Sequence, residues 1–466
     1  MANPVAQEML DFINKSWTQF HATHEACKRF EANGFTRLTE RQEWTLEPGG
    51  KYFVTRNQSA VVAFVVGKKF TTGSGFNVVA AHTDSPCPKL KPISASTKGG
   101  FLRVGVQTYG GGLWHTWFDR DLSVAGRVLV RRCGGAVISH ELVRINRPIM
   151  RIPTLAIHLD RNVNSEGFKC NPESHLAPVL ATQIKSALGE EEKSKDSKDG
   201  ERHHAILINL LAKELGCAPE DICDFELNVC DTQDGVIGGA QNEFVYCGRL
   251  DNLCMSFCSM KALIEVASNA EKVAESASGW MCALFDNEEV GSNSVQGAGS
   301  PMMFEIMKRT TAILQDGPSE GAVERMLRNS FMVSADMAHC LHPNYMEKHE
   351  EKHQPKMHAG LVVKHNCNQR YATTSVTNFL FREVAVRKGI PIQDFVVRND
   401  MGCGSTIGPI LASGIGIRTV DVGVPQLSMH SIREMCGTED VDIAYQHFCA
   451  FYYDFEALDA TLAVDE

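Results

Sequence analysis

Trp280-Met281-Cys282-Ala283-Leu284-Phe285-Asp286-Asn287-Glu288-Glu289-Val290-Gly291-Ser292 is the run of residues from which the architecture can be read. Its six apolar residues, Trp280 to Phe285, follow one another without a break. That is the length and composition of a strand buried on both faces, as in a parallel sheet. The run stops at four polar or acidic residues and turns at Val290-Gly291. Two adjacent carboxylates, Glu288 and Glu289, are therefore predicted at the carboxyl end of a buried strand, the edge where open α/β sheets bind ligands.

Three other apolar runs end in metal-type ligands. Phe76 to Ala81 leads into His82-Thr83-Asp84-Ser85-Pro86, Phe331 to Ala335 into Asp336, and Thr419 to Val424 through Pro425 into His430. Asp251 stands at the head of an apolar helical repeat. One strand ending in an acid is ordinary. Several buried strands delivering His82, Glu289, Asp336 and His430 to one edge predict a shared site, and imidazole with carboxylate suits zinc, manganese or cobalt.

The chain has 466 residues, is 43% hydrophobic and 22% charged, and carries a net charge of -10. That composition predicts a globular protein of about two domains and argues against nucleic-acid or anionic-membrane surfaces. No apolar run approaches a membrane span and the N-terminus lacks the pattern of a signal peptide, so the expected location is cytoplasmic. The 16 cysteines include no Cys-x-x-Cys pair and are expected to be reduced packing residues.

Asn3 and Pro4 predict a capped first helix, and His24 to Glu31 a second. Strands are expected at Tyr52 to Thr55 and Ser59 to Val66. From Lys91 to Arg249 the texture changes to one rich in Val, Ile, Thr and Gly, with strands expected at Leu102 to Thr108, Ser123 to Arg131, Ala136 to Ile145 and Thr154 to His158. Gly189 to Arg202 is charged, apolar-free and expected to be a surface loop. A helix is expected from Ala205 to Leu215. Past Asp251, helical and strand-like patterns alternate again, as in a mixed or parallel sheet flanked by helices. The expected organisation is a discontinuous catalytic domain, 1–90 and 250–466, interrupted by a β-rich domain, 91–249.

If His82, Asp251, Glu289, Asp336 and His430 converge, two divalent ions can share one carboxylate, and such a pair activates water for attack on a carbonyl. Glu288 and Glu289 point different ways from a turn, so one can ligate while the other acts as general base. Asp84, two residues past His82 on an extended strand, is expected to orient the imidazole. The other histidines, His203 and His204 among them, read as surface residues.

The motifs Ala81-His82-Thr83-Asp84-Ser85-Pro86, Tyr109-Gly110-Gly111-Gly112, Trp117-Phe118-Asp119-Arg120-Asp121-Leu122, Arg249-Leu250-Asp251-Asn252, Asp286-Asn287-Glu288-Glu289-Val290-Gly291-Ser292, Ser334-Ala335-Asp336-Met337-Ala338-His339 and Met429-His430-Ser431-Ile432-Arg433-Glu434 occur in this order. With them the chain resembles the M18 aspartyl aminopeptidases over nearly its whole length. The resemblance implies a fold like that of di-zinc exopeptidases with a β-rich inserted domain, and removal of N-terminal Asp or Glu from peptides. It also implies two metal ions, zinc by family expectation: His82 and Asp336 on one, Glu289 and His430 on the other, Asp251 bridging, and Glu288 as the base. Substrate contacts matching the family are His339, Lys364 and Tyr371. His158 matches too, and is expected to reach a neighbouring subunit's site within a tetrahedral homododecamer.

A pocket for an acidic side chain needs a fixed cation, and Lys364, just past the strand-like Leu361-Val362-Val363, offers one. Two other classes fit parts of the pattern. A carboxypeptidase or deacylase on the same scaffold would keep the metal ligands, and a scaffold protein would need neither metal nor base.

Overall fold

Period-two burial builds the main sheet. In the Ala60–Val66 strand every residue is buried, and its side chains divide between two apolar layers: Val61, Ala63 and Val65 pack into one, and Val62, Phe64 and Val66 into the other. Gly279–Phe285 divides in the same way, with Cys282 and Leu284 on one face and Met281, Ala283 and Phe285 on the opposite one. A strand with no polar face can stay folded only between two layers of other elements. The computed structural model, which describes residues 3–188, 202–315, 317 and 319–464, supplies both. The helices Pro4–Lys15, Leu250–Ser268 and Thr438–Asp459 contribute to one layer, Met302–Leu314 and Ile407–Ile415 to the other.

The described chain divides into two compact units: residues 1–84, 235–429 and 434–466 form one, residues 85–234 and 430–433 the second. The first unit holds a nine-stranded mixed sheet. In spatial order its strands are Thr36–Leu38, Lys51–Arg56, Ala60–Val66, Gly279–Phe285, Phe76–His82, Phe331–Ala335, Arg418–Gly423, Leu361–His365 and Ile392–Val396. The four strands from Gly279–Phe285 to Arg418–Gly423 are mutually parallel. Phe285 pairs with His82 and Ser334 with Ala80, so the carboxyl ends of three strands come out level. A five-stranded sheet of the same unit runs Val236–Gly238, Phe244–Cys247, Glu434–Gly437, Pro425–Leu427 and Ala338–His339.

The second unit is an antiparallel six-stranded sheet in the order Val137–Arg144, Leu122–Arg132, Ile222–Asp231, Cys87–Lys98, Phe101–Tyr109 and Val179–Thr182. One apolar core, with Val104, Val106, Val128, Leu227 and Val229, lines it, and the helix Ala205–Leu215 adds Leu207 and Leu211.

The mixed α/β class expected from the alternating pattern is the one observed. Some local expectations differ. The second helix begins at Gln19, five residues before His24, because the Thr18 side chain accepts the His21 N–H and caps it there. No strand forms at Thr154 to His158. Pro153 donates no N–H, residues 153–159 are exposed, and the chain turns instead, with the Leu159 N–H bonded to the Ala156 carbonyl. His203 is buried and bonds Ser94, and His204 bonds the Ser96 backbone, so neither is the surface residue expected. The charged stretch lies outside the described residues except for Arg202. Among the described residues no helix is long and apolar enough to cross a membrane, and all 16 cysteines are free thiols.

Candidate active site

The carboxyl ends of the parallel strands bring chemistry together, as the pattern of buried runs ending in acids predicts. His82 closes its strand and is 1% exposed. Its Nε2 lies 3.4 Å from Asp251 Oδ1, 3.6 Å from Asp336 Oδ1 and 3.8 Å from Glu288 Oε2. Ligand atoms of His82, Asp251 and Asp336 lie within 4.8 Å of one another, and the same holds for His82, Glu288 and Glu289.

Each acid has a structural reason to be there. After Phe285 the chain turns through Asn287 at φ 63° into a single 3-10 turn, Glu288–Val290, which ends at Gly291 with φ 97°. Asn tolerates the left-handed region and Gly enters it without penalty. The N–H groups that open this turn need acceptors, and Asp84 provides them. Its Oδ1 accepts the Glu288 N–H and its Oδ2 the Glu289 N–H, both at 3.1 Å. Asp84 Oδ1 also lies 3.3 Å from His82 Nδ1, while the Asp84 carbonyl is 3.1 Å from the same nitrogen. Asp84 thus contacts the His82 imidazole and also holds both glutamate amides. The sequence carries no signal for this second role, since backbone amides are the same at every residue.

Asp336 is placed by close backbone packing. A Cβ on Gly423 would fall 1.8 Å from the Asp336 carbonyl oxygen, so only glycine lets the Arg418–Gly423 strand approach this closely. Asp251 enters the helix Leu250–Ser268 with non-helical φ -83° and ψ 105°. The neighbouring Asn252 donates from Nδ2 to the Ala335 carbonyl at 2.9 Å, and Ser256 Oγ donates to the His82 carbonyl at 2.6 Å. Sequence reasoning assigned nothing to Asn252 or Ser256, because an isolated polar residue on an apolar helix carries no pattern.

The electrostatics of this cluster call for a cation. Burial disfavours a charged His82, yet hydrogen bonding to Asp251, Asp336 and Asp84 and the charge of Glu288 outweigh it and hold the imidazole well above its usual value. Burial pushes the Glu288 carboxyl up to about 8, with Asp336, Asp251 and Asp84 adding to the shift and His82 opposing it. One imidazole and several carboxylate oxygens, without thiolate, form a donor set for zinc, manganese or cobalt, and a divalent ion can take the place of the proton that the carboxylates draw to His82. The residues present fit a metal.

Lys364 is buried at 3% exposure, with Nζ 3.7 Å from Asp336 Oδ2 and 5.4 Å from the centre of the Tyr371 ring. Tyr371 is buried as well, and burial followed by its hydrogen bond to Cys403 raises its hydroxyl pKa. His339 keeps solvent access, and desolvation by the surrounding protein, then the Lys364 charge, lower its pKa. Its ring meets Phe395 at 5.6 Å. His430 and His158 belong to the second unit. There His430 Nδ1 lies 3.0 Å from the Gly111 carbonyl. His158 is exposed in the turn after Ala156.

The arrangement meets known proteins at every level. The family model described as aminopeptidase I zinc metalloprotease (M18) matches residues 12–452. A probable aspartyl aminopeptidase of Ricinus communis is 57% identical, covering 99% of this chain and 97% of that protein. The aspartyl aminopeptidase of Dictyostelium discoideum is 46% identical over 98% of each. Among solved structures, the cryo-EM structure of the Ape4 and Nbr1 complex superposes with a TM-score of 0.94 at 43% identity, covering 99% of this chain and 88% of that one. The S. cerevisiae mApe1 dodecamer gives 0.87 at 31% identity over 99% of both chains. With that match spanning both units and the buried histidine–carboxylate cluster at its centre, the chain belongs to the M18 family of zinc metalloproteases and is a metallo-aminopeptidase.

Proposed function

We propose that this aminopeptidase removes N-terminal Asp or Glu from peptides, with Glu288 as general base. The observation that carries the reading is the ring of Asp251, Asp336 and Glu288 around His82, with the buried Lys364 ammonium 3.7 Å from Asp336. In this reading His82 and Asp336 would hold one ion and Glu289 and His430 a second, with Asp251 shared between the two. A Gly111 carbonyl accepting from His430 Nδ1 sets the tautomer in which Nε2 carries the lone pair. Zinc follows from the family, and manganese or cobalt suits the same donors. Bound ions supply the Lewis acidity that lowers the pKa of water and polarises the scissile carbonyl.

Glu288 takes the proton of the attacking water as its oxygen bonds to the carbonyl carbon, then delivers that proton to the leaving nitrogen as the C–N bond breaks. Burial raises the carboxyl's pKa in the metal-free protein, and cations held beside it would lower it again, leaving a carboxylate able to take that proton. Asp84 keeps Glu288 and Glu289 in their different directions through the two N–H bonds. The Lys364 ammonium pairs with the substrate's acidic side chain, with His339 and Tyr371 beside it, and the free α-amino group is held near the ligand carboxylates, which limits cleavage to the first residue.

Self-association into a tetrahedral homododecamer, in which His158 reaches a neighbouring subunit's site, is the accompanying proposal. It is supported by the dodecameric mApe1 and by the exposed Leu155, Ile157 and Leu159 around His158. A cytoplasmic location is supported by the free thiols.

The test is hydrolysis of Asp-, Glu-, Ala- and Leu-anilides, and of an N-acetylated Asp-peptide, by wild type and Glu288→Gln with added zinc or manganese. Activity on the acidic pair alone, abolished by acetylation and lost in the variant with metal retained, is the expected result. Preference for Leu or Ala would overturn the specificity. Cleavage of the acetylated peptide would point to a carboxypeptidase or deacylase.

A further inference from the structure

Asp251 sits where a helix begins, and the first N–H groups of a helix have no carbonyl one turn earlier to bond. Its backbone is non-helical, and its N–H is taken up outside the helix. The holder is Glu434. This residue opens the strand Glu434–Gly437, is 3% exposed, and accepts the Asp251 N–H on Oε2 at 3.2 Å. Its other oxygen, Oε1, accepts from Nε2 of the buried Gln426 at 3.2 Å. The five-stranded sheet fixes both side chains: Glu434 is in register with Cys247, just upstream of Asp251, and Gln426 with Cys436 and His339. One residue on, Asn252 Nδ2 holds the carbonyl of Ala335, which precedes Asp336. Two consecutive residues are thus tied, one to the five-stranded sheet and one to the strand that delivers Asp336.

We propose that Glu434 is a positioning residue of the metal centre, holding the Asp251 carboxylate in its ligating direction through the Asp251 backbone N–H. The proposal rests on the reading that Asp251 is a metal ligand. Glu434 reaches the backbone of Asp251, so it acts on the direction of a ligand, and it needs no contact with metal or substrate. A carboxylate acceptor makes this bond stronger than a neutral one and adds negative charge behind the ligand, which favours a cation in front of it. Without it the Asp251 backbone loses a contact that fixes it, and its carboxylate can turn from the direction that places it 3.4 Å from His82 Nε2.

The test compares purified full-length wild type, Glu434→Ala, Glu434→Gln, Gln426→Leu and Asp251→Asn. Zinc content is measured by atomic spectroscopy after equilibration against graded chelator, with melting in excess chelator as the fold check and kcat and KM measured at saturating zinc. Glu434→Ala is expected to release zinc at about 10–100-fold lower chelator concentration than wild type, the range typical of groups that orient ligands. Saturating zinc should restore kcat with KM unchanged. Glu434→Gln keeps an acceptor oxygen and should rescue most of the loss. Should Glu434→Ala not fold in chelator, Gln426→Leu, which leaves Glu434 but loosens it, decides the matter by a smaller loss in the same direction. Wild-type zinc retention in these variants while Asp251→Asn releases zinc overturns the inference. Zinc retention by Asp251→Asn itself overturns the reading beneath it.

Discussion

The nine-stranded and six-stranded sheets of this chain solve different problems. In the nine-stranded sheet, strands such as Phe76–His82 and Gly279–Phe285 are buried at every position and face an apolar layer on each side. In the six-stranded sheet, Phe101–Tyr109 alternates buried and accessible positions over a single core, and Leu155, Ile157 and Leu159 of the same unit are 57%, 47% and 75% exposed. A sheet closed on both faces can expose functional groups only at its strand ends, and there the titratable cluster sits. The exposed Leu155, Ile157 and Leu159 lie in the turn around His158, off the sheet. The candidate catalytic cluster and the surface proposed for assembly therefore belong to different elements, and each can be tested.

The largest expected effect is on the closed sheet. Asp251→Asn, or exhaustive chelation of wild type, should abolish hydrolysis, with zinc content by atomic spectroscopy as the check. Gly423→Ala should act in the same direction without touching a ligand, since its Cβ would collide with the Asp336 carbonyl. Retained zinc and activity in that variant would show that the strand ends tolerate displacement. Glu288→Gln should lower kcat by about 10²–10⁴-fold with zinc content unchanged, the range for loss of a general acid–base group.

Lys364→Ala should reduce the preference for Asp over Ala substrates by about 10–100-fold, as expected for a charge-assisted hydrogen bond of about 1.5–3 kcal/mol. An unchanged ratio of kcat/KM values removes Lys364 from specificity. In the exposed turn around His158, Ile157→Asp with Leu159→Asp should shift the proposed assembly to smaller species in sedimentation velocity while leaving zinc content unchanged. Loss of zinc together with assembly would show that the turn and the metal cluster are not independent.

The smallest effect is one of pH on the metal-free protein. With its carboxyl pushed up to about 8 from 4.5, Glu288 holds a proton in the folded state that the unfolded chain gives up. Its contribution to stability is full below about pH 4.5 and is lost as pH rises through 8. In chelator, the melting temperature of wild type should therefore fall relative to Glu288→Gln between pH 5 and 8. Parallel curves would show that Glu288 ionises as an ordinary carboxylate.

Much of this was legible in the residues alone. A run such as Trp280 to Phe285 has no polar alternation, and only a strand buried on both faces accommodates it, so the sheet class and the location of His82, Glu288, Glu289 and Asp336 at strand ends followed from composition and order. The family was legible for a related reason: three of its motifs, those carrying His82, Glu288 and Asp336, lie at those strand ends. Local propensity failed at Thr154 to His158, where β-type residues have no strand to pair with.

Which residues reach the edge of the sheet follows from the amino-acid sequence, because period and burial act within a few neighbouring positions. What holds them there comes from the tertiary structure. Asp84 grips the amides of Glu288 and Glu289 across 204 and 205 residues of chain, Glu434 reaches back 183 residues to Asp251, and Gly423 makes room for Asp336. Such contacts join a side chain to a backbone group far away in sequence, and a backbone group is the same at every residue, so no pattern of residue types records them.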